Sequence, residues 1–256
     1  MKVGLALSGG GARGFAHAGV LSVLVEAGVP IDLVAGTSAG SFAGGAFAAG
    51  LSPAEIVAMS SKIRWRNSVT PAMSPMGLLS NAPMGKLIRR EFPVTKVEET
   101  KIPFGAVACD LDAGTEVLLT SGDLDIVIRS SCAVPGIFAP VKHPDGRLLV
   151  DGGVMQPVPV KAARDMGADV VIAVDLMACG ATFRQRPSTA LGVVFQAAMT
   201  LLRTASLSQH YTADVIIEPQ IAHLRPDDLT HREECTRLGT EAAMKALPRI
   251  KEIAGF

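Results

Sequence analysis

A near-continuous aliphatic run between Asp169 and Asp175 constrains the fold of this chain more than any other feature. A strand that alternates apolar and polar residues exposes one face, whereas a strand of Val, Ile and Ala alone is covered on both faces, as in parallel sheets between helical layers. Further short apolar runs at residues 2–8 and 31–35 are each followed by a glycine-rich turn and a helical pattern. Alternating strands and helices predict an α/β protein with three layers, α/β/α, around a mainly parallel central sheet.

The same patterns place further elements along the chain, with no internal repeat or linker between them. Strands are predicted at 104–109, 116–120, 148–150 and 215–218, the first two as a hairpin. Helices are predicted up to residue 27, after residue 40, from the capping box at 52–55, and at 84–91, 123–131, 158–166, 188–209 and 231–253. Residues 65–82 are predicted to form a long apolar loop. We therefore expect residues 1–256 to form one domain.

Charge and cysteine content exclude several classes of function. The 24 Lys and Arg residues balance 24 Asp and Glu residues, so no electrostatic argument favours binding to nucleic acid. The four cysteines show neither CxxC pairs nor histidines at zinc-site spacing, which predicts reduced thiols and no metal site; they are Cys109, Cys132, Cys179 and Cys235. The apolar run at the N-terminus is too short for a signal peptide. We therefore expect a cytoplasmic protein.

An uncharged stretch of 22 residues, Leu33 to Ala54, has the length of a transmembrane helix, and the mean hydropathy of the chain is +0.35. The stretch is rich in glycine, serine and alanine and holds few large aliphatic residues. Such a composition partitions weakly into lipid but allows a helix to approach a sheet closely. We therefore expect a helix buried against the sheet rather than a membrane span.

A glycine-rich loop follows the first predicted strand: Gly9-Gly10-Gly11-Ala12-Arg13-Gly14. Its pattern fits the GxGxxG fingerprint of dinucleotide-binding proteins. That fingerprint also needs an acidic residue at the end of the second strand, whereas Asp32 stands at the beginning of that strand. Successive backbone N–H groups before a helix stabilise any negative charge, so the loop also suits the oxyanion of an ester-hydrolysis intermediate.

A second loop has the pattern GxSxG, Gly36-Thr37-Ser38-Ala39-Gly40, between a buried strand and an uncharged helix. This is the context in which a strained turn holds a nucleophilic serine above a sheet edge. Because both loops follow neighbouring parallel strands, we expect oxyanion donors and nucleophile to lie at the same edge of the sheet.

A serine nucleophile needs a base, and the histidines are poor candidates. His210 ends a predicted helix, His223 and His231 lie among charged residues, and His17 lies inside the first helix, where we expect it to be packed. A His-containing triad nevertheless stays open as an alternative.

Asp151 offers a different base. It follows a predicted strand and precedes Gly152 and Gly153, which leave its carboxylate unobstructed. A carboxylate beside a serine can take its proton directly, which predicts a Ser–Asp dyad.

In combination, the three motifs resemble those of the patatin-like phospholipases, and the segment 129–140 is similar to the stretch that precedes the catalytic aspartate in that family. The resemblance covers residues 3–180, and the C-terminal remainder carries no family motif. It implies a lipid acyl hydrolase with a patatin-like fold that acts on lipid or phospholipid acyl esters without cofactor or metal. By position, Ser38 is the nucleophile, Asp151 the general base, and Gly10 and Gly11 supply oxyanion-hole amides supported by Arg13.

Other interpretations remain open. The protein is either this hydrolase, a nucleotide-dependent oxidoreductase that uses the GxGxxG loop, or a regulatory protein that keeps the fold without activity. Residues 65–82, preceded by Arg64, form either an interfacial lid or acyl-chain wall, or a surface loop. The helix at 188–209 is predicted to be core or a subunit contact, and a transient contact with a membrane surface fits both segments. Oligomeric state and the physiological lipid are left open.

Overall fold

The computed structural model describes residues 1–178 and 187–255. Cys179 and the end of the motif-bearing region lie outside these ranges. The strands within them are β1 (Val3–Leu7), β2 (Leu33–Thr37), β3 (Thr70–Pro71), β4 (Leu79–Ser80), β5 (Phe104–Asp110), β6 (Thr115–Leu119), β7 (Val141–Lys142), β8 (Leu148–Asp151), β9 (Val170–Val174) and β10 (Val215–Ile217).

The helices within the same ranges flank these strands. They are α1 (Phe15–Glu26), α2 (Ala39–Ala49), α3 (Pro53–Ser60), α4 (Trp65–Ser68), α5 (Ala82–Glu91), α6 (Leu124–Ser131), α7 (Val160–Asp165), α8 (Ala190–Gln209) and α9 (Arg232–Ala254). A short 3-10 turn at Gly11–Gly14 follows the first residues of the glycine loop. A second 3-10 turn, at Gly152–Val154, directly follows strand β8.

The central sheet has eight strands in the order β10-β9-β1-β2-β5-β8-β7, with β6 also paired to β5. Strands β10, β9, β1, β2 and β5 run parallel to one another. Strands β6 and β8 run antiparallel to β5, and β7 runs antiparallel to β8. The predicted α/β fold with a mainly parallel sheet is therefore confirmed.

Each face of the sheet buries its own apolar cluster, which explains the aliphatic run in β9. Ile172 and Val174 pack into the larger cluster with α1 and α9, whereas Val171 and Ala173 pack into a second cluster with α7. Because side chains alternate between faces along a strand, both faces of β9 need apolar residues. Both sides of the sheet are thus covered by helices, as the sequence predicts.

The uncharged stretch from residue 33 forms β2, the serine turn and α2, and eight of the eleven residues of α2 are buried. A Cβ on Gly44 would stand 2.8 Å from Val34 Cγ1, so glycine there lets the helix lie directly on the sheet. The predicted buried helix is confirmed. Among the residues that the structure describes, no helix combines the length and apolarity needed to cross a membrane.

Several predicted boundaries need correction. The second strand runs from Leu33 to Thr37 rather than from 31 to 35, because the Asp32 carboxylate accepts the Val3 N–H at 2.7 Å and so holds the chain beside β1 before pairing begins. The predicted loop at 65–82 contains α4 and a two-stranded antiparallel pair, β3 with β4. The hairpin of β5 and β6 and the capping box between Ser52 and Glu55 are confirmed.

Candidate active site

Ser38 lies in a tight turn between β2 and α2, as the motif predicts. It is the one residue other than glycine with a positive φ (53°) in the part of the chain that the structure describes. Glycines on both sides make the turn feasible: a Cβ on Gly36 would lie 2.5 Å from Ser41 Cα, and one on Gly40 would lie 2.1 Å from the Leu7 carbonyl oxygen. A non-glycine residue with positive φ costs about 1–3 kcal/mol and persists only where its surroundings enforce it.

Hydrogen bonds enforce the serine turn. The Ser38 N–H donates to Ser131 Oγ at 2.9 Å, and the Ser131 hydroxyl in turn donates to the Val107 carbonyl at 2.6 Å. The Thr37 hydroxyl donates to the Gln156 carbonyl at 2.8 Å. The turn is therefore held by α6 and by the loop that contains Gln156, and Ser38 is one of the residues that line the cavity described below.

The glycine loop lies beside Ser38 because β1 and β2 are parallel neighbours, with Leu7 opposite Gly36. A Cβ on Gly9 would stand 3.4 Å from Ser38 Cβ. The close approach of the two loops extends to Gly14, where a Cβ would lie 2.6 Å from Ala39 Cβ. Both loops thus lie at one edge of the sheet, in the arrangement expected from the sequence.

The amide groups of this loop divide into two sets. The Gly9 N–H donates to the Pro157 carbonyl at 2.9 Å and the Ala12 N–H donates to the Pro226 carbonyl at 2.7 Å. Within residues 1–178 and 187–255, no acceptor pairs with the N–H groups of Gly10 and Gly11. Gly11 has φ of +58°, and a Cβ there would lie 2.3 Å from the Pro226 oxygen. Two adjacent donors are thus left for a bound group.

Arg13 supports the loop from behind. Its side chain is buried, and the guanidinium donates to the carbonyl of Leu224 from both Nε (2.8 Å) and Nη2 (2.6 Å). Weaker contacts reach the carbonyls of Ala222 and Leu176. Arg13 therefore fixes the loop to the chain that precedes α9, and its N–H groups are directed at the backbone rather than at the serine.

Asp151 lies at the same edge of the sheet as the two loops, although its strand runs in the opposite direction to β1 and β2. It ends β8, which is antiparallel to β5, and it pairs with Ala108 one residue beyond the Thr37–Val107 pair. Strand β6 pairs with β5 along the other edge, so β2 and β8 share one edge of β5 and meet end to end, which brings Asp151 next to the serine turn. A Cβ on Gly152 would lie 2.1 Å from the Val107 oxygen, so the residue after Asp151 must be glycine.

The two oxygens of the Asp151 carboxylate have different environments. Oδ1 accepts the Gly153 N–H at 2.8 Å, whereas Oδ2 is buried without a hydrogen-bond partner in the described chain. Burial raises the pKa of this carboxyl from 3.8 to about 6, and the nearby Ser38 hydroxyl and the Gly153 N–H oppose the rise. A buried carboxylate oxygen without a donor is costly, which makes it a ready proton acceptor.

A cavity of about 280 Å³ opens over these groups and contains the glycine loop, Ser38 and Asp151 at one end. The remaining lining is mostly apolar and comes from helices α1 to α5 and α8 and from the loops near them; it includes Phe15, Phe42, Met59, Leu87, Phe138 and Leu202. The site therefore combines a polar end with an apolar compartment, as sites for small amphipathic ligands do.

The two segments with open interpretations each contribute two residues to the lining of this cavity. From the stretch 65–82, Ser68 and Val69 line the cavity, while Met73 is fully exposed and Leu78 is 64% exposed. Helix α8 lines the cavity with Met199 and Leu202 and exposes Val194 and Leu201 on its outer side. The cavity wall is thus partly built from both segments.

None of the five histidines lines this cavity. His17 is buried, contacts the Ser8 carbonyl through Nε2 at 2.9 Å, and has its pKa lowered to about 4 by burial, in line with the packed role predicted for it. His223 pairs with Glu234. The geometry therefore gives no histidine partner to Ser38 among the described residues.

An Asp–His pair near the cavity is not predicted by any pattern in the sequence. His210 Nε2 lies 2.7 Å from Oδ2 of Asp175, and this contact raises the pKa of His210. Oδ1 of Asp175 accepts the N–H groups of Met177 and Ala178, so the pair fastens the end of α8 to the end of β9. The only sequence signal was the aspartate directly after the aliphatic run.

The geometry does not supply the acid that a dinucleotide site needs. Asp32 lies before β2, at the sheet edge opposite the glycine loop, where its carboxylate accepts the Val3 N–H. The end of β2 carries Ser38 instead. Among the described residues, His, Cys, Asp and Glu side chains form no group of three or more that would hold a metal ion.

Comparison with known proteins gives one family. The family model described as patatin-like phospholipase matches residues 5–164. An uncharacterized NTE family protein of Mycobacterium bovis is 39% identical over 184 residues, a match that covers 68% of this chain and 49% of that protein. The chain thus corresponds to about half the length of this relative. Patatin-like phospholipase domain-containing protein 6 of Homo sapiens is 36% identical over 183 residues, covering 68% of this chain and 13% of the human protein.

A solved structure supports the same fold. VipD from Legionella pneumophila matches with a TM-score of 0.57 at 14% sequence identity, covering 96% of this chain and 66% of that chain. At this identity the likeness concerns the fold alone. The matched family model spans more than half of the residues, and it shows that this chain belongs to the patatin-like phospholipase family.

Proposed function

We propose that this protein hydrolyses acyl esters of lipids, with Ser38 as nucleophile and Asp151 as general base. The observation that carries the proposal is the unpartnered Asp151 Oδ2 beside a serine in a strained turn, at the polar end of an apolar cavity. Family membership supports lipid esters as the substrate class, since the family is named for its phospholipases.

In the first half of the reaction, the acyl chain occupies the apolar cavity and places its ester carbonyl over Ser38. Asp151 Oδ2 takes the Ser38 proton as Oγ attacks the carbonyl carbon. The N–H groups of Gly10 and Gly11 donate to the oxyanion that forms; one such donor contributes about 3 kcal/mol of transition-state stabilisation. The proton then passes from Asp151 to the leaving alcohol, and the acyl group remains on Ser38.

In the second half, water replaces the alcohol. Asp151, again ionised, takes a proton from the water as its oxygen attacks the acyl carbonyl, and the same two amides stabilise the second oxyanion. Collapse of this intermediate returns the proton to Ser38 Oγ and releases the fatty acid. Arg13 contributes by holding the loop in place through its bonds to Leu224 and does not touch the substrate.

The pH dependence of ester hydrolysis tests this proposal. Asp151 must be ionised to act as a base, and its pKa is raised to about 6 by burial. We expect kcat/KM for a monoacylglycerol to fall about tenfold for each pH unit below about 6, with a plateau above it. Initial rates of fatty-acid release between pH 4.5 and 8 measure this limb. Undiminished kcat/KM at pH 4.5 contradicts a buried carboxylate base, and absence of hydrolysis throughout contradicts the proposed activity.

No observation favours the two other functions that the sequence left open. A nucleotide-dependent oxidoreductase needs a carboxylate for the ribose at the end of β2, where the chain has Ser38. A non-catalytic protein of this fold does not need a strained serine or an unpartnered buried carboxylate, both of which cost stability.

A further inference from the structure

An arginine-lined groove adjoins the mouth of the cavity. It has a volume of about 780 Å³ and is lined by Arg64, Arg66, Arg225, Asp227, Asp228, Leu229, Thr230 and Arg232. Two of these residues, Asp227 and Leu229, also line the apolar cavity, so the groove lies directly beside the cavity. A ligand with its acyl chain in the cavity therefore has the groove within reach of its other end.

The carboxylates in the groove already have partners. Arg225 binds Asp227 through two hydrogen bonds of 2.9 and 2.7 Å. Asp228 accepts the N–H and the hydroxyl of Thr230, at 2.9 and 2.6 Å, and lies 3.4 Å from His231. These contacts leave Arg64, Arg66 and Arg232 as cations that no carboxylate neutralises in the described part of the chain.

These three arginines differ in how firmly they are held. Arg232 donates to the Ile63 carbonyl and stacks 5.4 Å from the ring centre of Phe15, which itself lines the cavity. Its Nε is buried and has no hydrogen-bond partner. Arg64 and Arg66 are exposed, and neither side chain has an ion pair or hydrogen bond with a described residue. Arginine forks of this kind bind phosphate oxygens in pairs of charge-assisted hydrogen bonds.

We propose that this groove binds the phosphodiester of a glycerophospholipid whose acyl chain occupies the cavity, and that Arg64, Arg66 and Arg232 make the protein prefer phosphorylated lipids over neutral glycerides. This inference rests on the proposed function, because it assigns the headgroup side of the same substrate. The esters of a neutral glyceride reach Ser38 equally well but leave the three arginines without an anion.

The test compares two esters with the same acyl chain, 1-palmitoyl-lysophosphatidylglycerol and 1-palmitoylglycerol, presented in micelles of one neutral detergent. In the double variant Arg64→Gln/Arg66→Gln, we expect KM for the phospholipid to rise about tenfold or more, because each lost charge-assisted bond weakens binding severalfold. The glyceride has no phosphate, so its kcat/KM should change less than about twofold. The matched control is Arg249→Gln, an exposed arginine of α9 that lies outside both cavities and pairs with Glu252.

The outcomes separate this inference from the proposed function. If the double variant lowers kcat/KM equally for both esters, or for neither, the proposed headgroup site is wrong. The proposed hydrolase activity is not affected by that result. If inorganic phosphate changes glyceride hydrolysis in the wild type and not in the double variant, while KM for the phospholipid is the same in both proteins, the arginines bind free phosphate as a regulator, which also overturns the inference. If the wild type hydrolyses neither ester, the proposed function itself fails.

Discussion

Replacement of Ser38 by alanine is expected to abolish ester hydrolysis while the protein stays folded. Ser38 Oγ is the atom that forms the acyl bond in the proposed mechanism, and removal of a catalytic nucleophile commonly reduces kcat by about 10⁴-fold or more. The backbone of the turn is held by the Ser38 N–H and carbonyl, which alanine retains. Fatty-acid release by the purified variant measures the loss of activity. Its circular dichroism spectrum, compared with that of the wild type, shows whether the variant is folded.

Two further variants complete this experiment. Ser22→Ala removes a hydroxyl that bonds only the Ala18 carbonyl within α1, and it should keep wild-type turnover. Ser38→Gly should be as inactive as Ser38→Ala but more stable by about 1 kcal/mol, because glycine adopts φ of 53° without strain. Activity that survives in Ser38→Ala would place the nucleophile elsewhere, and a glycine variant less stable than the alanine variant would argue against strain in the turn.

Replacement of Asp151 by asparagine is the second change with a large expected effect. The amide keeps an oxygen for the Gly153 N–H but offers no base in place of Oδ2. General-base catalysis contributes about 10²–10⁴-fold, so kcat should fall by about 10³ with little change in KM. The matched control is Asp110→Asn, a buried residue of the neighbouring strand β5 whose Oδ1 accepts the N–H groups of Asp112 and Ala113. An amide oxygen serves that turn equally well, so this variant should keep its turnover.

The same substitution should alter how stability depends on pH. The pKa of Asp151 is raised by burial from 3.8 to about 6, so the native state binds the proton more tightly than the unfolded chain. Wild-type stability therefore falls as pH rises from about 4 to about 6, by up to about 3 kcal/mol, and stays lower above that window. Asp151→Asn should lack this loss. Urea unfolding of both proteins at pH 4.5 and 7.5 measures this loss. If the two proteins differ in free energy of unfolding by the same amount at both pH values, the result contradicts an ionised, buried Asp151.

The parts of the site that the sequence predicts are those encoded by local patterns. Glycines at 36 and 40 predict the serine turn because their neighbours leave no room for a side chain, and the structure shows the backbone contacts responsible. The parallel pairing of β1 with β2 follows from the strand–helix alternation and brings the two loops together. The aliphatic run predicts a strand buried on both faces, which β9 is.

Other features depend on residues far apart in sequence, and no local pattern encodes them. Strand β8 runs antiparallel to β5 and meets the end of β2 along one edge of β5, which brings Asp151 next to Ser38 through pairings between distant segments. The contact between His210 and Asp175 joins residues 35 positions apart. The arginine groove brings together Arg64 and Arg232, which are far apart in sequence. Each arrangement is determined by tertiary packing rather than by propensity or periodicity.

Labelling with a fluorophosphonate tests the central claim most directly, because the probe reacts only with a serine that is activated and has an oxyanion hole beside it. The protein would be treated at pH 8 and examined by intact mass and by peptide mapping. The account predicts one adduct, on Ser38, formed far more slowly in Asp151→Asn and absent in Ser38→Ala. A folded wild-type protein that takes no adduct, or an adduct on any other residue, would contradict it.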